Sequence, residues 1–171
     1  IQASGLLPIN ALRAIVAEEI DTRFFQASSS EIYTPTSSVA ISEGSSIRPS
    51  TPYGCSKALA HQMVIAYREN YDLYAVNGIF FSHESPRRGK DFLTMKVINA
   101  ALDIKAGKSQ TVKLGNLDVE RDWGDARDYV EAAHLMMQQD NANDYHICTG
   151  KLHSVKDIVD FVFLQFGMNY K

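Results

Sequence analysis

The sequence predicts an α/β fold with a mostly parallel sheet. Segments with helical spacing of apolar residues alternate along the chain with short apolar segments typical of strands. The run Leu73–Phe81 is apolar almost throughout, as expected for a strand buried on both faces of a parallel sheet. No internal repeat is visible. Because ligands of such sheets bind at the carboxyl ends of the strands, residues that follow a strand are the first candidates for function.

The first half of the chain contains four predicted segments before that strand. Leu6–Ile20 has apolar residues at close to helical spacing and is predicted to be a helix. Thr22–Ala27 contains two adjacent phenylalanines and is predicted to be a short strand, with three serines at its end. Thr34–Pro52 is rich in Ser, Thr, Pro and Gly, which predicts a loop. Pro52 then precedes a predicted helix over Tyr53–Asn70 with one apolar face.

The second half continues the alternation. His83–Lys90 is polar, contains Pro and Gly, and is predicted to be a loop. Ser154 is a suitable N-cap for the last helix, and we expect Trp123 and Tyr129 to belong to the core. The remaining elements are predicted helices over Phe92–Ala106, Tyr129–Gln139 and Ser154–Phe166 and predicted strands over Val112–Leu114 and Tyr145–Cys148.

Composition restricts the class of protein. The 171 residues are 45% hydrophobic and carry a formal net charge of −3, which leaves no basic footprint for nucleic acid. No apolar run is long enough to cross a bilayer, so no membrane contact is expected. Cys55 and Cys148 lack metal-site spacing, and we expect two buried, reduced thiols in a cytoplasmic protein. The histidines share no ligand spacing, so no metal site is expected.

Tyr53 and Lys57 are four residues apart at the start of one predicted helix and therefore share a face. A free phenol has a pKa near 10, and a nearby ammonium favours its ionised form. Such a pair can remove a proton from a hydroxyl group while hydride leaves to a nicotinamide. Ser29 at a strand end could orient the same hydroxyl. Taken alone, Tyr-x-x-x-Lys is also the pattern of an exposed tyrosine and a solvated lysine.

Glu31 adds a second acid–base group two residues after Ser29. An oxidation needs one base, whereas an elimination needs a further group that acts on the same substrate. The alternative is a solvated loop acid or a charge at a helix start.

These motifs carry a resemblance to a known family. Residues 27–33 and 52–57 resemble the extended short-chain dehydrogenase/reductase superfamily, whose Ser/Thr, Tyr and Lys triad has this order and separation. Within it, the string from Asn77 to Gly89 and the segment Arg121–Val130 are similar to the GDP-mannose 4,6-dehydratase family. The resemblance covers essentially the whole chain and implies GDP-mannose as substrate and NADP as cofactor.

The resemblance also implies roles for individual residues. Tyr53 would deprotonate the sugar 4-hydroxyl, Lys57 would hold the ribose of the cofactor, and Ser29 would stand where the family usually has Thr. Glu31 would remove the C5 proton and help water leave from C6. The residues implied in binding are His83 and Arg88 for the cofactor and Lys96 and Arg121 for the diphosphate of the sugar nucleotide. Their alternatives are ordinary loop and surface charges.

The implied architecture is a partial Rossmann-type, doubly wound parallel sheet. Residues 1–81 would be the later part of the cofactor domain with the catalytic residues, and residues 82–171 would mix cofactor-domain and substrate-binding segments. No Gly-x-x-Gly-x-x-Gly phosphate loop occurs in the sequence. We therefore expect that the N-terminal phosphate-binding half and part of the C-terminal region are absent, and that this chain alone neither binds NADP tightly nor turns over.

Other functions remain open from the sequence. An epimerase or reductase of the same superfamily acting on another sugar nucleotide would share Tyr53 and Lys57 but not a dedicated base at Glu31. The chain could also be a non-catalytic remnant that serves as a binding or assembly module. Such a remnant would bind neither GDP-mannose nor NADP. The family's counterpart of Arg87–Gly89 lies near subunit contacts, so the resemblance implies a homo-oligomer.

Overall fold

The computed structural model describes residues 1–34 and 41–169 and confirms the α/β class with a parallel sheet. The chain forms two compact units. The first comprises Ile1–Phe81 and Asp128–Ile147, and the second comprises Ser82–Arg127 and Cys148–Lys171.

The elements of the described residues are as follows. The α-helices are α1 (Leu7–Ala17), α2 (Pro52–Tyr71), α3 (Leu93–Lys105), α4 (Ala126–Met136) and α5 (Val155–Gln165). The strands are β1 (Phe24–Ser29), β2 (Ala75–Phe80), β3 (Ser82–Glu84), β4 (Glu120–Asp125), β5 (Asp144–Ile147) and β6 (Leu152–Ser154). A π-helix over Gln2–Leu6 precedes α1, and a 3₁₀-helix over Ser30–Ile32 follows β1.

The first unit is built on a parallel sheet with the strand order β1-β2-β5. The central strand β2 is buried over most of its length, which is why its sequence is apolar with almost no alternation. Ser29 at the end of β1 pairs in register with Phe80 at the end of β2. The carboxyl ends of these two strands therefore lie side by side.

Helix α2 begins directly after the long loop and is fixed at its start by two residues. The Thr51 hydroxyl accepts a hydrogen bond from the Gly54 N–H at 2.9 Å, and Pro52 occupies the first turn, where its missing N–H is not needed. The helix ends at Asp72, which adopts the left-handed conformation. Val64 on α2 packs with Leu12 of α1 and Ala75 of β2 in a fully buried cluster.

The second unit contains a smaller sheet with the order β3-β4-β6, parallel between β3 and β4 and antiparallel between β4 and β6. Its core joins α3 and α5, with Val97 and Phe163 among the buried residues. The expected cap of the last helix is confirmed, since Ser154 and Asp157 form a reciprocal capping box.

The strand assignments differ from the structure at four places. Val112–Leu114 is not a strand, because its apolar side chains pack on the core of the second unit without backbone pairing. A strand lies instead at Glu120–Asp125, whose charged sequence does not alternate as a half-buried strand should. The predicted loop His83–Lys90 begins within β3, which pairs with β4, and β6 was not predicted.

Other expectations have mixed outcomes. β1 is displaced two residues toward the C-terminus from the predicted Thr22–Ala27, because pairing with β2 extends through Ser28 and Ser29. Cys55 and Cys148 form no disulfide but are exposed, so their predicted burial is wrong. Tyr129 is buried as expected, whereas Trp123 is partly buried against the core. The described part of Thr34–Pro52 is loop up to the start of α2, and residues 35–40 lie outside the described residues.

Candidate active site

Ser29 and Glu31 lie at the carboxyl end of β1. Ser29 is its last residue, and its side-chain oxygen accepts a hydrogen bond from the Glu31 N–H at 3.2 Å. Ser29 thereby caps the 3₁₀-helix in which Glu31 stands. The hydroxyl and the carboxylate are thus carried by one short turn, in which Ile32 is fully buried.

Tyr53 and Lys57 lie in the first turns of α2. The Tyr53 side chain is 50% exposed, so its phenol is open to a ligand. The Lys57 Nζ lies 5.7 Å from the centroid of the Tyr53 ring and donates a hydrogen bond to the Ala27 carbonyl at 2.7 Å. This bond ties the helix to the strand two residues before Ser29.

Burial lowers the pKa of Lys57 from its ordinary value. The cause is desolvation, which disfavours the ammonium form. The Ala27 carbonyl oxygen provides this partly desolvated donor with a hydrogen-bonding partner. An ammonium held in this way lies beside the face of the phenol ring.

Gly54 lies where the start of α2 meets the turn that contains Glu31, and no role was predicted for it. A Cβ atom at this position would lie well inside van der Waals contact with the Glu31 carbonyl oxygen and 3.1 Å from the Thr51 Oγ1. The start of α2 therefore packs directly on the backbone of the turn that contains Glu31. A glycine in a first helical turn disfavours the helix by about 1 kcal/mol relative to alanine, and that unfavourable choice was the available signal.

We expect Gly54→Ala to lower the free energy of unfolding by about 3 kcal/mol, the upper end for overpacking, because the obstructing atom belongs to the backbone. Urea unfolding measures this change. Gly44→Ala is the matched control, since nothing lies within 4 Å of a Cβ there, and it should shift stability by less than about 0.5 kcal/mol. Equal stability of the two variants would contradict the close packing at Gly54.

Tyr33 is a second phenol near Glu31, and it was not singled out from the sequence. Its hydroxyl lies 3.1 Å from the His146 Nε2, and its side chain is buried. Desolvation, with smaller contributions from the Glu43 and Asp144 carboxylates, raises the pKa of Tyr33 to about 12. Tyr33 is therefore a structural hydrogen-bonding group.

The four predicted ligand-binding residues lie in the second unit. His83 is in β3 and pairs in register with Gly124 of β4. The Arg88 Nε lies 3.4 Å from a Glu84 carboxylate oxygen, and its guanidinium stacks 3.7 Å above the Phe92 ring. Lys96 on α3 and Arg121 on β4 are exposed.

Asp122, next to Arg121, organises the turn that follows β5. Its carboxylate accepts hydrogen bonds from the Thr149 N–H at 2.9 Å, the Thr149 hydroxyl at 2.9 Å and the Gly150 N–H at 2.7 Å. Asp122 is nearly buried, and these donors satisfy its charge. The segment Arg121–Val130 thus contains an anchoring residue that the sequence did not distinguish from its charged neighbours.

Residues 1–34 and 41–169 contain no group of three or more His, Cys, Asp or Glu side chains able to hold a metal ion. None of their helices combines the length and the apolar character that crossing a membrane requires.

Comparison with known proteins gives matches over the whole chain. The family model described as GDP-mannose 4,6 dehydratase matches residues 1–171. GDP-mannose 4,6 dehydratase from Homo sapiens is 46% identical over 145 residues, which are 85% of this chain and 39% of that protein. GDP-mannose 4,6 dehydratase 1 from Arabidopsis thaliana is 43% identical over 173 residues, covering 99% of this chain and 47% of that protein. The chain thus spans less than half the length of these two relatives.

Solved structures confirm the fold. RMD from Pseudomonas aeruginosa complexed with NADPH superposes with a TM-score of 0.91 at 21% identity, over 99% of this chain and 60% of that one. dTDP-glucose 4,6-dehydratase from Bacillus anthracis str. Ames in complex with NAD gives a TM-score of 0.87 at 20% identity, over 97% of this chain and 52% of that one. At these identities the likeness concerns the backbone arrangement.

Proposed function

The chain belongs to the GDP-mannose 4,6-dehydratase family, and on that premise we propose that it carries the catalytic centre for the conversion of GDP-mannose to GDP-4-keto-6-deoxymannose. The supporting observation is the turn at the end of β1, which holds Ser29 and Glu31 together and packs on the start of α2. One acid–base group on the helix for the oxidation and another on the turn for the elimination is the combination that this conversion requires.

We propose NADP as the cofactor. The chemistry that it supplies when bound is reversible hydride transfer. Lys57 suits its ribose, because an ammonium has three N–H donors and the Ala27 carbonyl engages one of them. His83 and Arg88 are the proposed further contacts, and a guanidinium is suited to the additional phosphate of NADP. The structures of similar fold from Pseudomonas aeruginosa and Bacillus anthracis contain NADPH and NAD, respectively.

The proposed proton transfers use three side chains of the first unit. Tyr53 removes the proton from the sugar 4-hydroxyl, which Ser29 orients through a hydrogen bond. Once C4 is a ketone, the C5 proton is acidic, and Glu31 removes it. The same carboxyl group then returns that proton to the 6-hydroxyl as the C6–O bond breaks. Because the hydride taken from C4 would be given back at C6 and C5 would regain a proton, the net change in the sugar is loss of one water molecule.

Binding of the sugar nucleotide is assigned to two cations of the second unit. Lys96 and Arg121 are exposed and positively charged, as a diphosphate requires. Neither side chain is buried against the core, so both are available to an anionic ligand.

The test is the reaction of the full encoded protein with GDP-mannose and NADP. We expect nuclear magnetic resonance spectra of the product to show a methyl group at C6 and the loss of the C4 proton, as a 4-keto-6-deoxy sugar requires. A product that retains its 6-hydroxyl and changes only in configuration would identify an epimerase. Absence of binding to either GDP-mannose or NADP in calorimetry would favour a non-catalytic module.

A further inference from the structure

A chain of buried polar side chains runs beneath the carboxyl end of β1. The Ser28 Oγ lies 3.1 Å from the His61 Nδ1, and the His61 Nε2 lies 3.5 Å from an Asp144 carboxylate oxygen. Ser28 and His61 are each only 3% exposed. None of the proton transfers proposed above uses these three residues.

Asp144 connects this chain to the rest of the sheet. The Arg68 guanidinium donates to its carboxylate at 3.0 Å, and the Asn77 amide donates to the same oxygen at 2.9 Å. Asn77 also donates to the His61 carbonyl at 3.2 Å. The network therefore joins α2 with all three strands of the first unit's sheet.

Burial and neighbouring charges both act on the protonation of the His61 imidazole. Burial lowers the pKa of His61; the Asp144 carboxylate opposes this effect, and the Arg68 guanidinium acts in the same direction as burial. A neutral imidazole has one donor and one acceptor. With the proton on Nε2 facing Asp144, Nδ1 accepts from the Ser28 hydroxyl, so both ring nitrogens have suitable partners.

The order Ser–His–Asp is that of a nucleophilic triad, but the burial excludes this use. A nucleophile must meet its substrate, and Ser28 is almost fully covered by protein. A buried and well-connected polar network instead fixes one arrangement of the elements that it joins. Apolar packing alone tolerates small displacements of a helix along a sheet more readily than directional hydrogen bonds do.

The network touches both halves of the candidate active site. On α2, His61 follows Tyr53 and Lys57 at intervals of four residues, so the three side chains share one stripe of the helix. On β1, Ser28 immediately precedes Ser29. A shift of α2 against β1 would therefore break the Ser28–His61 bond and displace Tyr53 from Ser29 and Glu31 together.

We propose that Ser28, His61 and Asp144 are positioning residues, which set the register of α2 against β1 and thereby the placement of Tyr53 and Lys57 relative to Ser29 and Glu31. This inference deepens the proposed function and rests on it for its kinetic test.

The kinetic test compares His61→Leu with Val64→Ala in the full encoded protein. Leucine keeps an apolar side chain of similar reach but removes both hydrogen-bonding nitrogens. Val64 is also fully buried on α2 but lies in the apolar cluster, so its truncation destabilises the helix without touching the network. We expect His61→Leu to lower kcat by about 30-fold with KM changed less than about twofold, as for a misplaced catalytic group.

Val64→Ala should retain kcat within about threefold even where its melting temperature falls as far as that of His61→Leu. Equal kcat in the two variants at equal melting temperature would overturn the positioning role. His61→Gln, which restores a donor and an acceptor, should recover most of the lost kcat, and no recovery would count against the network. Ser28→Ala covers the case in which His61→Leu does not fold, and its kcat should fall by about fivefold.

Hydrogen exchange keeps this inference separate from the proposed function. The Glu31 amide is bonded to the Ser29 hydroxyl, and its exchange reports the order of the catalytic turn. We expect faster exchange there in His61→Leu than in Val64→Ala, whether or not the protein dehydrates GDP-mannose. Unchanged exchange at this amide would overturn the inference, whereas absent dehydration by the wild type would overturn only the proposed function.

Discussion

Glu31→Gln is expected to lower kcat for loss of water from GDP-mannose by about 10⁴-fold, the upper end for a general acid–base group. The reason is that one carboxyl group serves both the removal of the C5 proton and the departure of the 6-hydroxyl. Glutamine preserves the size of the side chain and leaves the backbone bond from the Glu31 N–H to Ser29 intact. The turn should therefore persist without its base.

The measurement is product formation in D₂O by the full encoded protein. Wild-type product should carry deuterium at C5, and the Glu31→Gln variant should form almost none. Calorimetric affinities for GDP-mannose and NADP should stay within about twofold of wild type. Glu69→Gln, at an exposed position on α2, is the control and should react normally. Dehydration by Glu31→Gln at the wild-type rate would refute the role of this carboxylate.

Tyr53→Phe is expected to lower kcat by about 10³-fold, within the range for loss of a general base. The substitution removes only the phenolic oxygen, and the ring that lies beside the Lys57 ammonium is kept. Because Tyr53 is half exposed, the melting temperature should be nearly unchanged. The loss should therefore be confined to the chemical step.

Tyr71→Phe is the matched control for this second prediction. Tyr71 is 57% exposed at the opposite end of α2. Its variant should retain full activity, and both variants should bind GDP-mannose as the wild type does. A Tyr53→Phe enzyme with more than about a tenth of wild-type kcat would exclude Tyr53 as the base.

Much of the fold could be predicted because the spacing of apolar residues along the sequence reflects which side chains are buried. The helices at α2, α3 and α5 were predicted to within one or two residues, since each buries one apolar stripe. β2 was recognisable because it is covered on both faces. The sequence did not predict strands that are defined by backbone pairing and not by burial. β4 is the clearest example.

β4 begins Glu-Arg-Asp, and nothing in that order of charges predicts a strand. Its pairing with β3 and β6 makes this segment a strand, and the carboxylate of the buried Asp122 accepts hydrogen bonds from Thr149 and Gly150. At Val112 and Leu114 a strand was predicted where none forms, because these apolar side chains pack on the core without backbone pairing.

The sequence predicted those residues of the candidate site that are recognisable by residue type and by short spacing along the chain. Ser29 and Glu31 are two residues apart, and Tyr53 and Lys57 are four apart. The sequence did not predict a role for Gly54, Tyr33 or His61, because their roles depend on contacts with residues that are distant in the sequence. His61 bonds to a residue 33 positions away, and Tyr33 bonds to one 113 positions away. Such partners become visible only once the strands are paired.

The burial of Tyr33 has a consequence for chemical selectivity at the end of β1. Tyr33 and Tyr53 both follow Glu31 in the sequence, and a centre with two competing bases could deprotonate more than one hydroxyl of a sugar. Tyr33 is excluded from this role by burial, because it is only 4% exposed, its hydroxyl lies against His146, and desolvation raises its pKa to about 12. Burial thus separates two identical functional groups, because it covers the Tyr33 phenol and leaves the Tyr53 phenol on α2 exposed.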